Sequence, residues 1–319
     1  MKNLPLKDKN TGQALLVVLL IMSVVLTIVL SVASRSVIDV SLTTYEADSL
    51  RAFSAAEAGV EQALLTGAYS GTPITVDPGD TTSATYTSNI STGATGGDFT
   101  HPESVVSGQS VTFWFVSHNA IGALTCSGGA PCTTSPNLEV CWGNVGTPSN
   151  SPNTPAVELS IFYDYDPLNT SLRLATAITN DFRNIKVRRF TADPNTSRSL
   201  PPIENKFDAA SLGCGLGANT FAFSTGSINL NTELPVNCAT GPQGCLVMGK
   251  VRMFYNSSAS HPIAIRAFGG LSTVPAQGTQ IESTGVAGES VRRLSIFQGY
   301  PEPPTIFDAA VYSGGNLSK

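Results

Sequence analysis

Residues 14–33 read ALLVVLLIMSVVLTIVLSVA, 20 consecutive positions without a charged side chain. As an α-helix rising about 1.5 Å per residue, this run covers roughly 30 Å, the thickness of a bilayer's hydrocarbon core. The segment is expected to cross a membrane, with lipid around it. Lys2, Lys7 and Lys9 precede it against Asp8 alone, whereas Arg35 on the far side is followed by Asp39, Glu46 and Asp48. The excess of cations before the span is expected to keep the N-terminus inside an inner or cytoplasmic membrane and to send the remainder out. Ser31-Val32-Ala33 has the small side chains of a secretory cleavage site. The apolar run is nevertheless longer than the roughly 7–15 residues of a signal-peptide core, and a helical pattern continues beyond it.

After Ala33 the first glycine is Gly59 and the first proline Pro73. Between them Ile38, Leu42, Tyr45, Leu50, Phe53, Ala56, Val60 and Leu64 fall mostly three or four apart, while Arg35, Asp39, Glu46, Asp48, Arg51 and Glu61 take the other side. That spacing predicts an amphipathic helix continuing from the span, stopped by Gly67. From Gln13 to Leu65 it would run roughly 80 Å, far more than anchoring in a bilayer requires.

Three features carry a resemblance. A short basic leader ends at Gly12, a charge-free run opens Gln13-Ala14-Leu15-Leu16-Val17-Val18, and the amphipathic half ends in AFSAAEAGVE at residues 52–61. This resembles the class III signal and N-terminal helix of type IV pilins. More narrowly, residues 53–58 resemble PilX-type minor pilins, and the opening resembles the K-type minor pseudopilin of type II secretion. The similarity covers about the first 65 residues. It implies that a prepilin peptidase cuts between Gly12 and Gln13, that the new N-terminus is methylated, and that the helix joins other pilin subunits through a pilus assembly platform. Major pilins carry an aromatic residue where this chain has Gln13 and a glutamate where it has Val17. The second difference implies a minor subunit. It offers no buried carboxylate to the amine of a neighbour, which suits a place at the filament tip or in initiation better than one in the shaft. Within the span Ser23, Thr27 and Ser31 recur every four residues. They mark either a seam where helices pack closely or hydroxyls bonded to the carbonyl one turn back.

Only 13% of residues are Asp, Glu, Lys or Arg, against about a quarter in ordinary soluble domains, and the net charge of −5 is thinly spread. With no basic stripe beyond the leader, nucleic-acid binding is not expected. Six cysteines, Cys126, Cys132, Cys141, Cys214, Cys238 and Cys245, lie beyond the helix. Their even number in an exported region suggests disulfides, and their spacing does not suggest a zinc site. Of about fifteen possible pairings, loop-closure entropy favours Cys126 with Cys132 and Cys238 with Cys245, leaving Cys141 for Cys214. Buried free thiols are the alternative.

Residues 67–104 are rich in Gly, Ser and Thr and read as a connection with one edge strand near 84–90. From 105 to 319, short β-prone runs recur at 111–117, 138–142, 156–164, 172–179, 185–191, 220–224, 246–255, 263–268 and 291–297. Val157, Leu159, Ile161 and Tyr163 alternate with Glu158 and Ser160, the mark of a strand with one buried face. The organisation expected is a leader (1–12), a pilin-type helix (13–66, span 14–33), a connection (67–104) and an exported β-rich domain (105–319). The fold class is α+β, a long helix followed by a mainly antiparallel, sandwich-like β domain.

Catalysis and cofactors are not expected. Gly244 to Lys250 imitates a phosphate loop, but Val251 stands where the magnesium ligand belongs and the middle is apolar. Neither a nucleophile elbow nor a zinc-protease motif occurs. Asp164 and Asp166, in YDYDPLN, are a weak calcium pair that also suits a turn. The function that follows is a structural filament subunit. The alternative is a single-span surface domain or adhesin that joins no filament.

Overall fold

The computed structural model describes residues 11–67, 69–77, 79, 83–92, 97–119, 122–126, 132–164, 185–217, 219–235, 246–269 and 274–302. The chain is α+β: one long N-terminal apolar helix, α1 (Thr11–Thr66), precedes a mainly antiparallel β region. In chain order the strands are β1 (Ile74–Thr75), β2 (Thr85–Thr92), β3 (Asp98–Thr100), β4 (Ser110–Trp114), β5 (Ser117–His118), β6 (Leu124–Thr125), β7 (Asn137–Trp142), β8 (Ala156–Asp164) and β9 (Ile185–Asp193). They continue with β10 (Asp208–Ala209), β11 (Ser211–Leu216), β12 (Asn219–Ser224), β13 (Ile228–Asn229), β14 (Leu246–Phe254), β15 (Ile263–Phe268), β16 (Gly278–Ala287) and β17 (Ser290–Gly299). Two compact units result, one of Met1–Ile90 with Ile281–Ile296, the other of Ser91–Gln280 with Phe297–Lys319.

The first unit is α1 with a four-stranded sheet in the order β1-β2-β16-β17. The helix is unbroken for 56 residues, roughly 84 Å. It stops at Gly67, whose positive φ of 64° lets its N–H reach Ala63 O at 2.9 Å, the left-handed cap only glycine adopts without strain. Ala52, Ala55, Ala56, Val60 and Ala63 are buried, and against the helix lie Ala84, Tyr86, Ile281 and Ala287. The approach is close enough to demand glycine on both sides. A Cβ on Gly285 would sit 2.0 Å from Ala52 O, and one on Gly59 would sit 2.3 Å from Ser283 Oγ. Polar contacts pin the same face: Tyr86 Oη donates to Gln62 Oε1 at 2.8 Å, and Arg292 Nη2 to Ser49 Oγ at 2.6 Å.

The stripe expected from hydropathy is therefore only partly the buried one. Ala56 and Val60 are covered, but Leu50, Phe53 and Leu64 are 69%, 41% and 44% exposed, because the sheet docks on the small residues one step round the helix. The expected connection at 67–104 also differs from its reading. It holds β1, β2 and β3, and β2 is flanked by β1 and β16, with Tyr86 and Ser88 buried. Likewise Ile281–Ile296, read from sequence as part of the β domain, groups with the helix.

The second unit is a β-sandwich. One sheet runs β10-β9-β8-β14-β4, antiparallel except for the parallel β10/β9 pair. The other runs β11-β12-β7-β15-β3, with β13 also on β7. Inward residues of both form one core: Phe113, Val157, Leu159, Ile161, Val251 and Met253 from the first, Leu138, Val140, Trp142, Phe223, Ile263 and Ile265 from the second. The alternation of β8 has the expected phase. β14 places Gly249 in a strand, where an added Cβ would meet Phe115 at 3.1 Å, so the described part of the phosphate-loop lookalike, 246–250, is buried strand. A buried Arg198 braces one end, bonding Asp193 Oδ1 (2.9 Å) and the carbonyls of Ser151, Pro152 and Thr154, with Tyr255 beneath at 4.0 Å. The expected strand at 172–179 lies outside the described residues.

Candidate functional site

The first unit exposes a long run of large apolar side chains on α1. Every large aliphatic side chain from Leu15 to Leu42 is exposed, Val17 among them, and the helix is long and apolar enough to cross a membrane. Such a surface has no stable place in water and calls for lipid or other helices around it. Gln13 is exposed near the helix start, and α1 already includes Thr11 and Gly12. Ser23 Oγ donates to Leu20 O at 2.8 Å, while Thr27 Oγ1 donates to Val24 O at 2.8 Å and to Ser23 O at 3.1 Å. These hydroxyls are satisfied within their own helix. They cost little to expose to lipid and leave a narrow surface, where Thr27 and Ser31 join Ile28, Val32 and Arg35 in a groove.

The structure pairs Cys126 with Cys132 and Cys141 with Cys214; Cys238 and Cys245 lie outside the described residues. The first bond closes the segment after β6. The second ties the exposed edge strand β11 to β7, beside Leu216, Phe221 and Ala264. Glu139, Cys141 and Cys214 cluster closely enough to suggest a metal site. With both sulfurs oxidised and Glu139 paired with Arg266, no thiolate is on offer there. Asp164 is buried at the end of β8, and Asp166 lies outside the described residues.

No family model, curated protein or solved structure matches this chain.

The second unit carries a cleft that sequence reasoning did not find. It has a volume of about 550 Å³ and lies beside β4 and β3, the edge strands of the two sheets. His101 and Glu103 from the segment after β3, Gln109 before β4, and Phe297, Tyr300 and Glu302 at the end of the described chain line it. Gln277 holds the strand end beneath by accepting from Trp114 N (2.6 Å) and donating to Trp114 O (2.8 Å). Thr112 donates its hydroxyl to Glu302. Tyr300 is stacked on His118, centroids 3.9 Å apart and planes 13° apart, and Trp114 meets the same imidazole edge-on at 4.6 Å. Burial holds His118 neutral by pushing its pKa down to about 4, and pushes the Tyr300 phenol up. His261 is likewise lowered by burial, with Asn144 N donating to its Nδ1 at 3.2 Å. In the first unit Tyr45 is raised by its hydrogen bond to the Glu289 carboxylate.

Proposed function

We propose that this chain is a minor structural subunit that enters the membrane through α1 and assembles through that helix into a type IV pilus-like filament, at the tip or in initiation. The observation that carries the reading is the division of one unbroken helix. Its first half exposes aliphatic side chains on all sides, and its last third is sheathed by a sheet that meets it through alanine and glycine. A simple anchor needs about 20 residues, so an unbroken helix of 56 residues, partly covered by its own sheet, is better matched to packing helix against helix. The basic leader, Gly12 and the residue pattern at 52–61 support the same reading, and Val17 supports the minor place.

The competing reading is a single-span surface domain. The mass of the mature N-terminus separates the two. Processing as a prepilin removes residues 1–12 and leaves Gln13 first, and Gly12→Val leaves the full-length precursor in the membrane. Normal processing of that variant, or an intact leader in the wild type, would sink the filament reading.

A further inference from the structure

The geometry points to a saccharide-binding site in the cleft beside β4 and β3, specific for a neutral, polyhydroxylated ring. The volume of about 550 Å³ lies in the range of small-molecule sites, roughly 300–1,000 Å³. Its lining has the composition such a ligand needs. Each sugar hydroxyl is both donor and acceptor, so it is matched by carboxylates and by amide or hydroxyl donors together. Glu103 and Glu302 supply acceptors. Gln109, whose Oε1 is taken by Val106 N at 3.3 Å, has its amide hydrogens to give.

The C–H face of a pyranose needs an aromatic ring, and the ring must already be held in place for the contact to repay its ordering. Tyr300 meets that condition. One face is stacked on His118 and the residue lines the cleft, while Phe297, also in the lining, is braced by Phe99 at 5.9 Å and by His101 at 6.5 Å. Among the described lining residues there is no Lys or Arg. A phosphate, sulfate or sialic acid would therefore meet two carboxylates and no fixed cation, which argues against an anionic ligand. The site stands independently of whether α1 joins a filament.

The test uses the full chain in a zwitterionic detergent, since glycoside detergents would compete. The protein is applied to an array of neutral, sialylated and sulfated oligosaccharides and then titrated with the best neutral member, with lactose and chitotriose as soluble probes. The expected result is binding confined to neutral glycans and weakened at least tenfold by Tyr300→Ala and by Glu103→Gln. Because Tyr300→Ala also removes a packed ring, the exposed Glu103 decides, and Leu212→Ser on β11 serves as the control that leaves affinity unchanged. Silence across the neutral glycans, binding of charged glycans only, or an affinity untouched by Glu103→Gln overturns the proposal. So does calcium chloride alone giving a Glu103-dependent heat while the sugars give none, because the cleft would then be a cation site.

Discussion

The two units bury apolar surface by opposite means. The sandwich fills the space between its sheets with Trp142, Phe113, Phe115, Phe223 and long aliphatics, whereas the helix and its sheet meet through alanines, Gly59 and Gly285. A core of large side chains is sensitive to what is removed, and a contact of small ones to what is added. The difference also separates hydrophobicity from burial. The most apolar stretch of the chain, residues 15–32, is exposed throughout, while modest alanines at 52, 55, 56 and 63 are covered.

The strongest way to break this contrast is a crossed pair of substitutions. Phe113→Ala should cost about 3–5 kcal/mol and loosen the sandwich. Gly285→Val, which forces a side chain into Ala52 O, should cost about 1–3 kcal/mol and loosen the helix and its sheet. Hydrogen exchange on the full chain in micelles reads the two units separately. Equal loosening of both units by both variants would end the distinction.

A smaller effect comes from pH. The unfolded chain protonates His118 near 6.5 and the folded chain only at about 4, so the sandwich loses stability as pH falls through that window and keeps it above. His118→Gln should flatten the acid limb of the unfolding midpoint, and an unchanged limb would show that another group governs it. The smallest effect expected is alkaline. The Tyr45 phenol, raised by Glu289, contributes its bond to the β16–β17 turn below pH 10 and loses it as pH rises beyond the usual tyrosine value. Phenolate titration of labelled Tyr45 should shift downward in Glu289→Gln, and no shift would mean that the bond does not persist in solution.

What was legible in the sequence follows the same division. The span, its continuation and the inward phase of β8 are written in large apolar residues at fixed periods, which hydropathy registers. β16, GTQIESTGVA, alternates from Ile281 to Ala287, but three of its four inward residues there are Ser283, Gly285 and Ala287, too small for hydropathy to register. The docking face of α1 was obscured for the same reason, because Ala52 and Ala63 weigh less than Leu50 and Phe53. The cleft has no local signature. His101, Gln109 and Tyr300 come from separate segments that only the sheet edges bring together.

The order of the strands sets an order of events in time. β2 and β16 are neighbours in one sheet, yet the whole sandwich lies between them in the chain, and more than two thirds of the sequence separates Ala52 from Gly285. The alanine face of the helix is therefore made first and covered last. Until β16 and β17 emerge from the ribosome, only β1 and β2 are there to cover that face. Completing the sheet means closing a very long loop, a step faster once the sandwich has folded and shortened the distance its ends must search.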